Sequence, residues 1–145
     1  MKTLRILVVD DHDVVREGVR TLISRRRDFE VCGEANCGLD AIRKVLELRP
    51  DIAVSDISMP DMDGVELTRR IRDISPETEV VILTMYDSSE FVQKSLRAGA
   101  RAYVLKSHTG RDLADAIKAA SQQVRFISLE IPFISPKTSR VARPT

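Results

Sequence analysis

Three carboxylates, a hydroxyl and an ammonium occupy matching places along this 145-residue chain. Asp10, Asp11, Asp56, Thr84 and Lys106 each stand at the carboxyl end of a short apolar run: residues 4–11 (LRILVVDD), 52–56 (IAVSD), 79–84 (EVVILT) and 101–106 (RAYVLK). Three carboxylates held together repel one another unless a cation neutralises them. An all-oxygen donor set with room for water suits Mg²⁺, which takes one or two carboxylates and completes its shell with waters and phosphate oxygens. A carboxylate oxygen can also attack phosphorus and form an acyl phosphate, given in-line positioning and neutralisation of the equatorial oxygens. Asp56 is the candidate nucleophile, Lys106 a point charge for one phosphoryl oxygen and Thr84 a hydroxyl donor for another. The group reads as a site for a divalent cation and a phosphoryl group.

For residues nearly 100 positions apart to meet, the runs must be neighbouring parallel strands. Short apolar runs bounded by polar residues and separated by helical patterns read this way. Strand and helix patterns alternate five times. Val14, Val15, Val19, Leu22 and Ile23 mark the first helical face, and residues 30–35 (EVCGEA) are a less apolar strand at or near an edge. Ala41, Ile42, Val45 and Leu46 mark the second helix, stopped by Pro50; Val65, Leu67, Ile71 and Ile74 mark the third, broken by Ser75-Pro76. Phe91, Val92 and Leu96 mark the fourth helix, closed by Gly99, and Leu113, Ala114, Ile117 and Ala120 mark the fifth. Right-handed crossovers between parallel strands make this an α/β chain, a flavodoxin-like doubly wound (βα)5 fold with sheet order 2-1-3-4-5. Ligands of such sheets bind outside the carboxyl ends of the strands. That is where the five polar residues fall.

Composition narrows the function classes. Lys plus Arg is 23 against Asp plus Glu 22, a net of +1, so no overall field calls for nucleic acid or a membrane surface. Residues 122–145 hold Arg125, Lys137, Arg140 and Arg143 against Glu130, leaving a net +3 there and −2 elsewhere. No run approaches the about 18 apolar residues of a membrane span, and no signal-peptide core opens the chain. Cys32 and Cys37 lack companion ligands for zinc and read as free thiols in a reduced, cytoplasmic protein. His12 beside the acid pair reads as solvated or capping, His108 as a polar loop residue, and Arg25, Arg26 and Arg27 as complementing a helix end. Beyond about Gln122 the periodicity fails, so residues 1–122 are expected to form the domain and 123–145 a linker or tail. Its apolar string, Phe126, Ile127, Leu129, Ile131, Phe133 and Ile134, is expected to seek cover on its own domain or a partner chain.

In order and spacing, VVDDHDVVREG, VSDISMPDMDGVEL, ILTMYD, AGARAYVLK and the last helix resemble the receiver domain of two-component response regulators. RILVVDDH, AGARAYVLK and RFIS (residues 125–128) are most similar to the NarL/FixJ (LuxR-type) transcriptional regulators, without their helix-turn-helix domain. The resemblance implies that Asp56 is the phosphoacceptor of a sensor histidine kinase. It implies that Asp11, Asp56 and the main-chain carbonyl of Ser58 hold Mg²⁺, with Asp10 acting through water. Thr84 and Tyr103 would be the switch pair and Lys106 the phosphoryl contact. The readout would be the face of helix four, strand five and helix five, with homodimerisation on activation. DNA would be reached only through an effector domain absent from this chain. Departures include Asp13 for the subfamily's usual proline, and bulky Met85 and Tyr86 after the switch threonine.

Two rivals fit less well. An aspartyl-phosphate phosphohydrolase usually carries a second acid two residues after its nucleophile, where this chain has Ser58. At most, self-phosphorylation from phosphodonors and slow autodephosphorylation are expected. A flavin carrier would need a glycine- and hydroxyl-rich loop after strand one, where Asp10 and Asp11 would repel phosphate. A stand-alone receiver working through protein–protein contacts is the alternative to a transcriptional regulator.

Overall fold

The computed structural model describes residues 2–128. The expectations for residues 129–145 lie outside the described residues. Along the chain run β1 (Leu4–Val9), α1 (Asp13–Ser24), β2 (Phe29–Ala35), α2 (Gly38–Leu48), β3 (Ile52–Asp56), α3 (Gly64–Ile74), β4 (Glu79–Thr84), α4 (Ser89–Ala98), β5 (Ala102–Leu105), α5 (Thr109–Ser121) and β6 (Phe126–Ile127). The sheet is parallel throughout, in the order β2-β1-β3-β4-β5-β6. Every residue of β3, β4 and β5 is buried, which is why these segments read as unbroken apolar runs rather than alternating ones. β2, at the edge, is half-buried over most of its length. Its register against β1 shifts between Ile6 and Leu7, where Cys32 is passed over.

Because strand side chains alternate, the sheet builds two cores. Leu7, Val9, Ala53, Val80, Ile82 and Tyr103 face α2, α3 and α4 through Ala41, Val45, Leu67, Ile71 and Val92. Ile6, Val8, Val54, Val81, Leu83 and Val104 face α1 and α5 through Val19, Ile23, Leu113 and Ile117. Three residues expected to face inward do not; Phe91 of α4 is 36% exposed. Val14 is 83% exposed and Leu46 48%. Successive helix residues are about 100° apart, so the stripe Val15, Val19, Ile23 excludes Val14, and Ala41 with Val45 excludes Leu46. α4 closes on Gly99, whose φ of +110° suits a residue without Cβ.

The sixth strand is a difference from the sequence reading, which places residues 123–128 at the start of a tail. After α5 the chain crosses back and pairs with β5, setting Phe126 beside Ala102 and Ile127 beside Tyr103. Phe126 joins one core and Ile127 the other. Ser128 is fully buried. Its amide donates to the Tyr103 carbonyl at 3.0 Å, and its Oγ accepts from the Leu105 amide (3.2 Å) and donates to Asp112 (3.0 Å). A two-residue strand is too short to leave a periodic signal, so helical pattern loss alone marked the boundary.

Candidate functional site

β1 and β3 end beside each other, with Val9 paired to Ser55. The next residue of each strand, Asp10 and Asp56, is therefore delivered to one edge; they are 2% and 4% exposed. On the far side, Thr84 pairs with Leu105, so Lys106 emerges just past it. Lys106 Nζ stands 3.3 Å from Asp56 Oδ1 and 3.4 Å from Asp10 Oδ2. One ammonium thus bridges acids from two strands. Burial pushes the Asp56 carboxyl above its ordinary value; the Lys106 charge opposes this and the Asp10 charge adds to it.

The donor set fits a divalent cation. Ligand atoms of Asp10, Asp11, His12 and Asp56 lie within 4.8 Å of one another. Asp10 Oδ2 and Asp11 Oδ1 are buried yet accept no hydrogen bond; their polar neighbours are Lys106 Nζ at 3.4 Å and His12 Nδ1 at 3.1 Å. Buried carboxylate oxygens left without donors are costly unless a cation satisfies them. His12 sits at the amino end of α1 but makes no side-chain cap bond. Its backbone amide donates to Asp10 Oδ1 at 2.8 Å, while its ring is 63% exposed. Asp13 does not cap α1 either; it is the first helical residue and accepts from Arg16 at 2.7 Å.

The loop after β3 carries Ser58, whose amide donates to Asp56 Oδ1 at 3.3 Å. Gly64 allows this loop to fold against the strand end. A Cβ there would lie 2.7 Å from the Asp56 carbonyl oxygen, and the Gly64 amide donates to the Ile57 carbonyl at 2.7 Å.

Thr84 and Tyr103 form a second group, joined through the main chain of Tyr86. The Tyr86 amide donates to Thr84 Oγ1 at 3.0 Å, and its carbonyl accepts from Tyr103 Oη at 2.9 Å. Tyr103 is fully buried, and burial pushes its phenol up to about 12. The Tyr86 ring stacks on Phe91 at 5.1 Å between centroids, leaving Met85, Tyr86 and Phe91 exposed. All seven sequence-predicted residues thus fall at one end of the sheet, in these two linked groups.

Two supports were missed by sequence reasoning. Arg16 donates to the Asp10 carbonyl oxygen at 2.7 Å and to Glu34 at 3.2 Å, tying the end of β1 to β2. Asp61, in the loop after β3, accepts from two amides of α2. The one available signal was negative: α2 begins at Cys37-Gly38, with no Ser, Thr, Asp or Asn at the cap position.

Residues 6–118 match the family model described as response regulator receiver domain. The chain is 41% identical to response regulator protein VraR of Staphylococcus aureus over 120 residues, 83% of this chain and 57% of VraR. It spans little more than half the length of that relative. Among solved structures it resembles a two-component response regulator of the LuxR family from Aurantimonas sp. SI85-9A1, with 42% identity and a TM-score of 0.86. That match covers 90% of this chain and 93% of the other. The signal receiver domain of NarL from Mycobacterium tuberculosis gives 30% identity and a TM-score of 0.80, covering 84% and 98%.

Proposed function

Because the chain belongs to the response regulator receiver family of two-component systems, we propose that it is a phosphorylation switch charged on Asp56 by a sensor histidine kinase. One observation carries the reading: the buried Asp56 carboxylate has Lys106 Nζ at 3.3 Å and an acid pair beside it with two buried oxygens, Asp10 Oδ2 and Asp11 Oδ1, that accept no hydrogen bond. Asp10, Asp11, Asp56 and the Ser58 carbonyl would hold Mg²⁺, with Asp10 reached through water. When bound, the ion supplies positive charge against the phosphoryl oxygens. An Asp56 carboxylate oxygen forms the new bond to phosphorus as the bond to the donor's histidine nitrogen breaks, its electron pair leaving with the nitrogen. Lys106 neutralises one phosphoryl oxygen and Thr84 donates its hydroxyl to another.

The switch is a population shift toward a state that holds the phosphoryl group better. Moving a 1:99 ratio to 99:1 takes about 5.5 kcal/mol of differential binding. Charge-assisted contacts from Lys106 and Thr84, about 1.5–3 kcal/mol each, are of that order. The readout lies on the α4–β5–α5 side, where Tyr103 and Tyr86 meet. β6 pairs along β5, and on that side Met85, Tyr86 and Phe91 present exposed apolar surface. Output is transcriptional control by a full-length regulator, through homodimerisation and an effector domain that reads DNA. The setting is cytoplasmic, which accords with the absence, among the described residues, of a helix long and apolar enough to cross a membrane. Turnover is limited to self-phosphorylation from small phosphodonors and slow autodephosphorylation.

Intact-mass measurement after incubation with acetyl phosphate tests the reading. Wild type gains one phosphoryl group only with Mg²⁺ present, and Asp56→Asn gains none. A phosphoryl adduct that persists in Asp56→Asn would sink the assignment.

A further inference from the structure

α2 starts without a cap of its own. Cys37, at its N-cap position, makes no side-chain capping bond, although the first amides of a helix need acceptors. The acceptor comes from a loop more than twenty residues away. Asp61 Oδ1 accepts from the Gly38 amide at 2.8 Å, and Oδ2 from the Leu39 amide at 2.9 Å. These two bonds hold the Asp61 carboxyl below its ordinary value, and a carboxylate at a helix amino end is also favoured by the helix dipole. Met62 follows Asp61 into contact. A Cβ on Gly38 would meet Met62 Cγ and Sδ, so a larger residue there would require the Met62 side chain to shift.

The loop bridged in this way is the one that carries Ser58. Its base is held by the Ser58 amide on Asp56 and by the Gly64 amide on the Ile57 carbonyl. Its exit is held by Asp63, which caps α3 through the Glu66 amide at 2.8 Å. Its outer arc is held by Asp61. A main-chain carbonyl ligand has no side-chain torsions with which to adjust, so its place is that of the loop. We propose that Asp61 is a positioning residue for the cation site, fixing the loop, and with it the Ser58 carbonyl, against the amino end of α2. The inference rests on the reading of that carbonyl as a metal ligand. Groups behind the ligands commonly change metal affinity about 10- to 100-fold when removed.

The test is Mg²⁺ titration of the full chain, followed by calorimetry and by the amide signals of Ser58, Gly38 and Leu39. High ionic strength keeps the loss of a remote charge from weakening the cation by itself. In wild type the three amides shift together with one dissociation constant. Asp61→Ala raises that constant about tenfold and uncouples Gly38 and Leu39 from the titration. Asp61→Asn, which keeps one acceptor oxygen, weakens binding in the same direction by less. Adding Cys37→Ser to Asp61→Ala gives α2 a cap of its own, restoring the thermal midpoint without restoring Mg²⁺ affinity. If affinity returns along with stability, Asp61 only caps a helix and the proposal is overturned. Unchanged affinity in Asp61→Ala or Asp61→Asn overturns it equally. A wild type that binds no Mg²⁺, or whose Ser58 amide ignores it, overturns instead the site reading on which the inference stands.

Discussion

Tyr86 is held at both of its main-chain polar groups, its amide donating to Thr84 Oγ1 and its carbonyl accepting from Tyr103 Oη. Under the proposed function, swinging Thr84 Oγ1 toward a phosphoryl group would release the Tyr86 amide, and chemistry at the strand ends would then reach the loop before α4. Thr84→Ala is therefore expected to accept phosphate while losing the response at Tyr103. Lys106→Ala should impair the response further, because a charge-assisted contact is lost with it. Amide and ring signals of Tyr103, with and without beryllofluoride as phosphoryl mimic, decide this; wild-type responses in both variants would refute it. With its phenol near 12, Tyr103 stays a neutral donor across physiological pH, so this link does not titrate there. The acids, Thr84 and Lys106 were legible in the sequence because each interrupts an apolar run with chemistry. Arg16 and Asp61 were not, since each acts on backbone that is near only after folding.

Elements are tied to one another where loops meet helices. Asp28, in the turn between α1 and β2, accepts from Arg26 Nε and Nη2 at 3.1 Å each and from Lys118 of α5 at 3.0 Å. Arg26 thus serves this turn rather than the end of its own helix. The Arg26 bonds, then that from Lys118, hold the Asp28 carboxyl far below its ordinary value. A carboxyl depressed in the folded state adds stability that is complete above its unfolded pKa of about 3.9. That stability is lost as pH falls toward the folded value. Asp28→Asn should accordingly lower the thermal midpoint at neutral pH and flatten its decline below about pH 4. Parallel melting curves for the two proteins would show it, and identical acid limbs would refute it. Helix existence was readable from the apolar spacing of α1 through α5; which face turned inward was less so. Val14 and Leu46 are apolar, yet each adjoins a residue better aimed at the sheet, and a pattern of residue types does not choose between neighbours.

Across the described residues, five βα units bring Asp10, Asp11, Asp56, Thr84 and Lys106 to one rim of the sheet, a placement that strand order accomplishes. The order was legible because alternation and crossover handedness leave few topologies. The last strand was not, because two residues carry no period. Its consequence lies in what it prevents. A strand at the margin of a sheet offers open amides and carbonyls to any other chain, and proteins blunt such margins with very short strands. β6 occupies the free side of β5 and itself offers only two residues to the next chain. A chain cut after Gln122 would uncover the β5 backbone together with the surface that Phe126 and Ile127 now bury. Such a chain should melt lower and self-associate in proportion to its concentration, as light scattering would register, whereas one cut after Ser128 should stay dispersed. The short strand therefore covers the β5 side of the sheet, so that a second copy cannot extend the sheet along β5.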